Sequence, residues 1–325
     1  MVTYVTRRVI QAIPILIGIS IISFMIVHLA PGSPIDKFRT PRVSTEQLNN
    51  LIRMYGLDKS IPEQFFSWIS SFFQVWKTDN QGHFIAWGFS FTDGRPILEK
   101  VVERIPATML LMGTALATTV VIAIPVGVLA AVKQYSVADK VITVLATVGY
   151  ALPSYWLGIM LLYIFAIDLN LFPLYGMHTL GGSEDFPDLA WHMVLPVASL
   201  TIQSVAGWSR YMRASMLEVM RQDYIRTARA KGLPPSRVIT KHALRNALIP
   251  IVTLLGLTIP TLLSGAVITE AIFGWPGLGN MGYQAVIDRD YPLVLAFVMI
   301  GGAMVILGNL IADILYAVVD PRIKY

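Results

Sequence analysis

The chain has 325 residues, of which 55% are apolar and only 14% charged, with a net charge of +5 and no cysteine. A soluble domain carries about 25% charged residues, so this composition and the mean hydropathy of +0.61 exclude an ordinary soluble globule. The lack of cysteine excludes a disulfide framework, thiolate zinc sites and iron–sulfur ligation. The histidines, His28, His83, His178, His192 and His242, include no pair at the i, i+4 spacing of helical metal ligands. They read as lone polar residues.

A bilayer core about 30 Å thick is crossed by about 20 apolar helical residues. The first such stretch is Val9–Ala30, which follows Arg7 and Arg8. It exceeds the signal-peptide core of about 7–15 residues and is followed by no small-residue cleavage pattern, so it reads as a retained first helix. The segment Pro31–Pro106 is too long for a simple connector and reads as a small helical subdomain. Ser44 and Gln47 form a capping-box pattern. Leu48, Leu51, Ile52 and Tyr55 follow at helical spacing, and Gly56 ends the run. Pro62 suits the first turn of a second helix. Its aromatic face, Phe65, Trp68, Ile69, Phe72 and Trp76, reads first as packing on the bundle or at headgroup level, and second as a platform for an external partner. Pro96–Glu103 reads as a short helix leading into the next span.

Four further stretches without Asp, Glu, Lys or Arg follow: Ala107–Val132, Val141–Ile167, Leu189–Ser209 and Asn246–Thr269. A last one, Pro292–Val319, holds a single acid, Asp313. The expected fold is therefore all-α membrane with six transmembrane helices. It divides into residues 1–30 (N-terminal segment and first helix), the extracytoplasmic helical subdomain 31–106, and a core of five helices, 107–325, whose basic loop spans 210–246. Pro14, Pro125, Pro153, Pro196 and Pro260 lie inside spans and are expected to kink them.

Lys and Arg in short loops set orientation. With the N-terminus inside, the inner segments hold Arg7 and Arg8, Lys133 and Lys140, nine basic residues between Arg210 and Arg245, then Arg322 and Lys324; the two short outer loops hold only Arg289. Both termini are thus expected in the cytoplasm. The positive charge follows topology and does not point to nucleic acid.

Between the fourth and fifth spans, Asp223 is a candidate N-cap for a helix Tyr224–Lys231. Gly232 suits a left-handed C-terminal cap, and Pro234-Pro235 bar continuation. Ser236 is a candidate cap for a second short helix running through Leu244 toward the membrane. The plain reading is a basic tether; the sharper one is a rigid helix–turn–helix presented to a partner. Glu270 closes the outer end of the fifth span, before a Gly/Pro-rich loop from Phe273 to Gly282. It reads equally as a pathway or gate residue and as a helix-end acid facing water. Asp313 is expected to pair with Arg245 as a structural clamp. No phosphate loop, His-Glu-x-x-His or Gly-x-Ser-x-Gly occurs. No catalytic, metal or cofactor site is therefore expected. A secondary transporter is the other class considered; it needs intramembrane acids as coupling-ion sites, and only Asp313 qualifies.

The order Ala228, Gly232 and an apolar return to the membrane resembles the EAA loop of bacterial ABC importer permeases, with Arg226 and Thr227 standing where that pattern has Glu and the first Ala. Tyr224–Leu233, His242–Pro250, Thr269–Gly279 and Asp320–Ile323, together with the first span and large outer segment, resemble the B-type permeases of the dipeptide/oligopeptide/nickel subfamily from end to end. The resemblance implies a type I ABC importer permease in the bacterial inner membrane that moves short peptides, or nickel or glutathione-like solutes. It implies as partners a second homologous permease, two cytoplasmic ATPases carrying ATP and Mg, and an extracytoplasmic binding protein. It also implies that Asp223, Tyr224, Arg226, Thr227, Ala228, Lys231 and Gly232 form the coupling helix that docks on an ATPase.

The topology is testable, because the chain has no native cysteine. Single cysteines at Asn80, Gly182 and Asp288 are expected to react with an impermeant thiol reagent added to intact cells, and those at Ser136 and Ser236 are not. Labelling at Ser236 would overturn the arrangement.

Overall fold

Inside a bilayer a backbone has no water to bond, so helices are the local solution, and among the described residues the chain is helical apart from one isolated bridge, Phe89 with Pro96. The computed structural model describes residues 2–29, 44–54, 56–74, 87–182 and 184–319. The elements are α1 (Val2–Leu29), α2 (Thr45–Met54), α3 (Ile61–Phe72), α4 (Ile97–Val132), α5 (Val137–Ala151), α6 (Ser154–Leu161, continued by a π-helical stretch Leu162–Asp168) and α7 (Phe186–Val219). After them come α8 (Asp223–Ala230), α9 (Pro235–Arg237), a second π-helical stretch (Val238–Ala243), α10 (Leu244–Ala247), α11 (Ile249–Ser264), α12 (Val267–Ile272), α13 (Leu278–Ile287) and α14 (Tyr291–Val319).

Four helices are long and apolar enough to span: within α1, α4, α7 and α14. Two more spans are counted only if bent pairs are each taken as one. The expected continuous span Val141–Ile167 is one of these pairs: α5 and α6 meet at 103°. Pro153 forces Leu152 out of the helical region, to ψ 130°, and the helix must end there. The expected span Asn246–Thr269 is also interrupted, by a 42° bend before α11 and by Gly265 at φ +81° after it. The short helix expected at Pro96–Glu103 is the start of α4, which runs unbroken for 36 residues.

The chain forms two compact units, one from Met1–Pro106 with Gly277–Leu307, the other from Ala107–Pro276 with Gly308–Lys324. In the first, the Ser44 backbone donates to Gln47 Oε1 (2.9 Å) and the Gln47 backbone to Ser44 Oγ (3.2 Å), the reciprocal cap expected for α2. Gly56 follows at φ +65°. Pro62 lies in the first turn of α3, and bonds from the Ser60 hydroxyl and backbone N–H hold the Glu63 carboxyl below its ordinary range. Phe65 and Trp68 pack on Phe24 of α1 at 5.2 and 5.7 Å between centroids, and Phe72 stacks on Trp87 at 5.2 Å. Tyr55 and Trp76 lie outside the described residues. Asp290 is fully buried. It accepts from Ser90 Oγ and from the Phe91 and Thr92 N–H groups. Lying at the start of α14, it ties the turn at residues 90–92 to that helix.

The second unit is built around α7. α5 lies against it, with Gly149 facing Ile202 and Ala206. Arg213 grips Asp139 with two bonds, of 2.7 and 2.8 Å. Asp139 also accepts from the Tyr135 N–H (2.9 Å), at a turn where Tyr135 has φ +64°. At Gly308 a β-carbon would stand 2.5 Å from Pro260 Cα, so α11 and α14 meet there backbone to backbone.

The same logic applies where α4 crosses α7. A β-carbon at Gly127 would lie 2.5 Å from Met212 Cβ and 2.7 Å from the Ser209 carbonyl oxygen, whereas one at Gly113 on the same helix would meet nothing within 4 Å. Gly127→Ala is therefore expected to destabilise the purified protein by about 1–3 kcal/mol, the usual scale of overpacking. Gly113→Ala should raise its melting temperature slightly, because alanine is the better helix former and has room there. Equal melting curves for the two variants would refute the close crossing.

Candidate functional site

The basic segment after α7 packs back against α7 and the start of α11. α8 is amphipathic: Ile225 (0% exposed) and Ala228 (6%) face inward onto Met212, Met216, Val238, Ala243, Ala247 and Ile251. The Tyr224 hydroxyl accepts from Asn246 Nδ2 at 3.0 Å, joining α8 to α10. Ser215 Oγ in turn donates to the Ala247 carbonyl at 2.9 Å, joining α10 to α7. Left exposed are Asp223, Tyr224, Arg226, Thr227, Arg229, Ala230 and Lys231.

The capping chemistry differs from expectation at both helix starts. Gln222 stands at the N-cap of α8, and Asp223 is the first helical residue. Its exposed carboxylate lies 3.5 Å from Arg226, a pair that solvent screens heavily. Pro234 holds the next N-cap, with Ser236 inside the first turn of α9. Gly232 stands where the turn needs it, at φ +72° with its N–H donating to the Arg229 carbonyl (3.0 Å). No atom would contact a β-carbon there, so the requirement for glycine is wholly conformational. Ala228 is buried on the inner face of α8. Its small side chain lets α8 approach the protein's own core, so it presents nothing outward. Arg245 is exposed; the side chain of Asp313, its expected partner, lies outside the described ones.

Glu270 does not face water. It is fully buried in α12, and Thr108 Oγ1 donates to its Oε1 at 2.9 Å. Just beyond it the chain turns at Gly274 (φ +59°), and the Trp275 N–H donates to the Glu270 carbonyl (2.8 Å). The fully buried Trp275 ring then donates from Nε1 to the Ala107 carbonyl (2.8 Å). The outcome is a polar node that pins the turn after α12 to α4. Among the described residues no group of three or more His, Asp or Glu is placed to hold a metal ion.

Residues 123–325 match the family described as binding-protein-dependent transport system inner membrane component, and residues 1–112 match that family's N-terminal region. The chain belongs to this permease family. It is 42% identical to the oligopeptide transport system permease protein AppB of Bacillus subtilis over the full length of both chains. It is 40% identical to the dipeptide transport system permease protein DppB of Escherichia coli K12, covering 100% of this chain and 99% of that one. A solved structure of the MetNI methionine ABC transporter in inward-facing conformations shares the fold, with a TM-score of 0.50 at 19% identity over 68% of this chain and 98% of that one. The permease is thus a membrane-spanning component with a type I ABC importer fold.

Several residues that shape the permease gave only weak local signals. Ser136 followed three residues later by Asp139 is a capping-box pattern, and the Asp139 N–H does donate to Ser136 Oγ (3.3 Å). The Asp139 carboxylate, though, reaches Arg213 on another helix, which no local pattern reports. Asp290 before Tyr291-Pro292 is a helix-start signature. The depth of its burial depends on the turn at residues 90–92, about which that signature says nothing.

The Glu270 node yields a direct test. Thr108→Val removes one hydrogen bond to a buried carboxyl group and is expected to destabilise the permease by about 1–3 kcal/mol. Thr108→Ser, which keeps the hydroxyl, should recover most of that loss in thermal unfolding. Identical unfolding of the Val and Ser variants would show that the bond contributes nothing.

Proposed function

We propose that this permease forms part of the translocation path of an ATP-driven importer of short peptides. Its likeness over full length to permeases named for oligopeptides and dipeptides carries the reading. In this reading it pairs with a second permease of its kind, receives substrate from an extracytoplasmic binding protein, and keeps both termini in the cytoplasm of a bacterial cell. It holds no catalytic residue or cofactor; ATP and Mg belong to two cytoplasmic ATPases.

The coupling segment is α8 with its Gly232 turn. Asp223, Arg226, Thr227 and Lys231 meet the ATPase, while Tyr224 and Ala228 hold the helix at a fixed angle. The pairing of an exposed polar face with a buried apolar one supports this division of labour. A force applied to α8 is delivered to α10 and α7 through Asn246 and Ser215. Glu270 acts from within, as a fixed point of the wall.

The experiment is uptake by vesicles holding all subunits, with labelled dipeptides, longer peptides and glutathione as separate substrates. Peptides are expected to be taken up and glutathione not; uptake of glutathione alone would move the substrate reading to that alternative. Gly232→Val forces a branched residue into the left-handed region, at a cost of about 1–2 kcal/mol, and should re-aim α8. Uptake should fall at least about tenfold, while Gly232→Asn, which tolerates that conformation, should transport. Undiminished uptake by Gly232→Val would reduce the segment to a tether.

A further inference from the structure

A membrane-spanning helix turns aliphatic side chains to lipid and keeps polar ones for the bundle or for water-filled space. α5 carries both kinds on its exposed surface and separates them. Lys140, Thr143, Thr147 and Tyr150 are exposed at i, i+3, i+7 and i+10, a single stripe along the helix. Every other exposed residue of α5 is aliphatic, among them Val141 (50% exposed), Val144 (61%), Leu145 (65%) and Val148 (52%). The aliphatic face suits acyl chains, and the polar stripe suits water. The inner half of α7, which packs on α5, is alike: between Gln203 and Glu218 its exposed residues are Arg210, Tyr211, Ala214 and Glu218, none of them Leu, Ile or Val.

Arg210 joins the two faces. Its Nε donates to the Ala206 carbonyl (3.2 Å), one turn back along α7, and its guanidinium lies 4.6 Å from the centre of the Tyr150 ring. The side chain thus reaches back along the span, away from the basic segment that follows α7. An arginine that serves only the membrane surface extends its head toward that surface; this one is held back by a ring and a carbonyl. Arg213, one turn on, is neutralised by Asp139 through two bonds. Arg210 has no carboxylate partner among the described residues, and its Nη donors make no hydrogen bond to them. Glu218 is eight residues on, about 12 Å along the helix, and out of reach. The guanidinium is therefore fixed in place and uncompensated, on a face without aliphatic side chains.

What fits such a group is a small planar anion. A guanidinium fork binds a carboxylate through two parallel bonds, and an aromatic ring beneath it fixes the plane of the fork. If the permease conducts short peptides, as proposed above, every linear substrate carries one carboxylate of this kind at its C-terminus. A lipid phosphate is the other anion at hand, but it comes with acyl chains, and those belong on the Val144 and Val148 face. We propose that Arg210, seated on Tyr150, is a binding subsite for the C-terminal carboxylate of the peptide, in a solute path that runs along Thr143 and Thr147.

The test uses the assembled transporter in vesicles, with a labelled tripeptide and its C-terminal amide, each loaded to equal occupancy on the binding protein. The wild type is expected to take up the free acid about tenfold faster than the amide, the scale of one hydrogen-bonded charge pair. Arg210→Gln should bring that ratio close to one by slowing the acid. Arg210→Lys keeps the charge without the fork and should fall between. The binding protein is the same throughout, so its own preference cancels when variants are compared. An unchanged ratio in Arg210→Gln overturns the subsite and leaves peptide import standing; a wild type that takes up neither peptide overturns both. Equal slowing of acid and amide that follows the anionic lipid content would make Arg210 a lipid contact, which also overturns the subsite. Single cysteines give a second measurement with Arg210 intact. During turnover Thr147→Cys should react with a charged thiol reagent, and Val148→Cys, on the aliphatic face, should not. Silence at Thr147→Cys, or equal reaction at both, would show that the stripe does not face water and would overturn the path.

Discussion

A backbone carbonyl left open inside a bilayer has no water to turn to, and this permease repeatedly breaks its helices there. Two of these breaks are covered by a side chain from another element. The Leu152 carbonyl, where α5 ends, accepts from Gln203 of α7. The Ala247 carbonyl, at the bend before α11, accepts from Ser215 of α7. The long helix α7 supplies both donors and is the wall against which the short, bent helices are placed. Without Gln203, the 103° turn at Pro153 would leave a bare acceptor in an apolar setting.

The same economy explains how a surface segment is kept stiff. A helix of 8 residues has too few internal bonds to be stable alone. α8 is held by the burial of Ile225 and Ala228 and by the Tyr224–Asn246 bond. Its direction then depends on two glycine-and-proline devices, the Gly232 turn and the Pro234-Pro235 start of α9. The exposed residues of α8 contribute little to holding the helix in place.

What could be read from the sequence was what short range decides. The Ser44–Gln47 box, Pro62 in the first turn of α3, and Gly56 and Gly232 at positive φ all rest on chemistry within a few residues. Helical hydrophobicity likewise marked the spans. Features set by distant partners were not legible. Val141–Ile167 carries apolar residues throughout, and periodicity cannot distinguish one span from two short helices at an angle. Glu270 reads equally as a gate residue and as a helix-end acid, because Thr108, its partner, is 162 residues away. Ala228 matched a pattern associated with docking, but its burial comes from α10 and the π-helical stretch before it. The N-caps at Gln222 and Pro234 each lie close to the expected residue, the ordinary uncertainty of helix ends.

The π-helical stretch Val238–Ala243 has a consequence for how relatives of this permease are compared. A π turn holds one more residue than an α turn, so it behaves as a single insertion absorbed within a helix. Each added residue rotates the downstream helix by about 100°. The phase of α10 and α11, and hence which of their side chains look toward neighbours and which toward lipid, is set by that one extra residue. A relative whose alignment shows a one-residue gap between Val238 and Ala243 has therefore not lost a surface detail. It has lost the π turn, and its aligned side chains beyond the gap keep the facing they have here, whereas a relative with neither the π turn nor the gap presents each of them about 100° away.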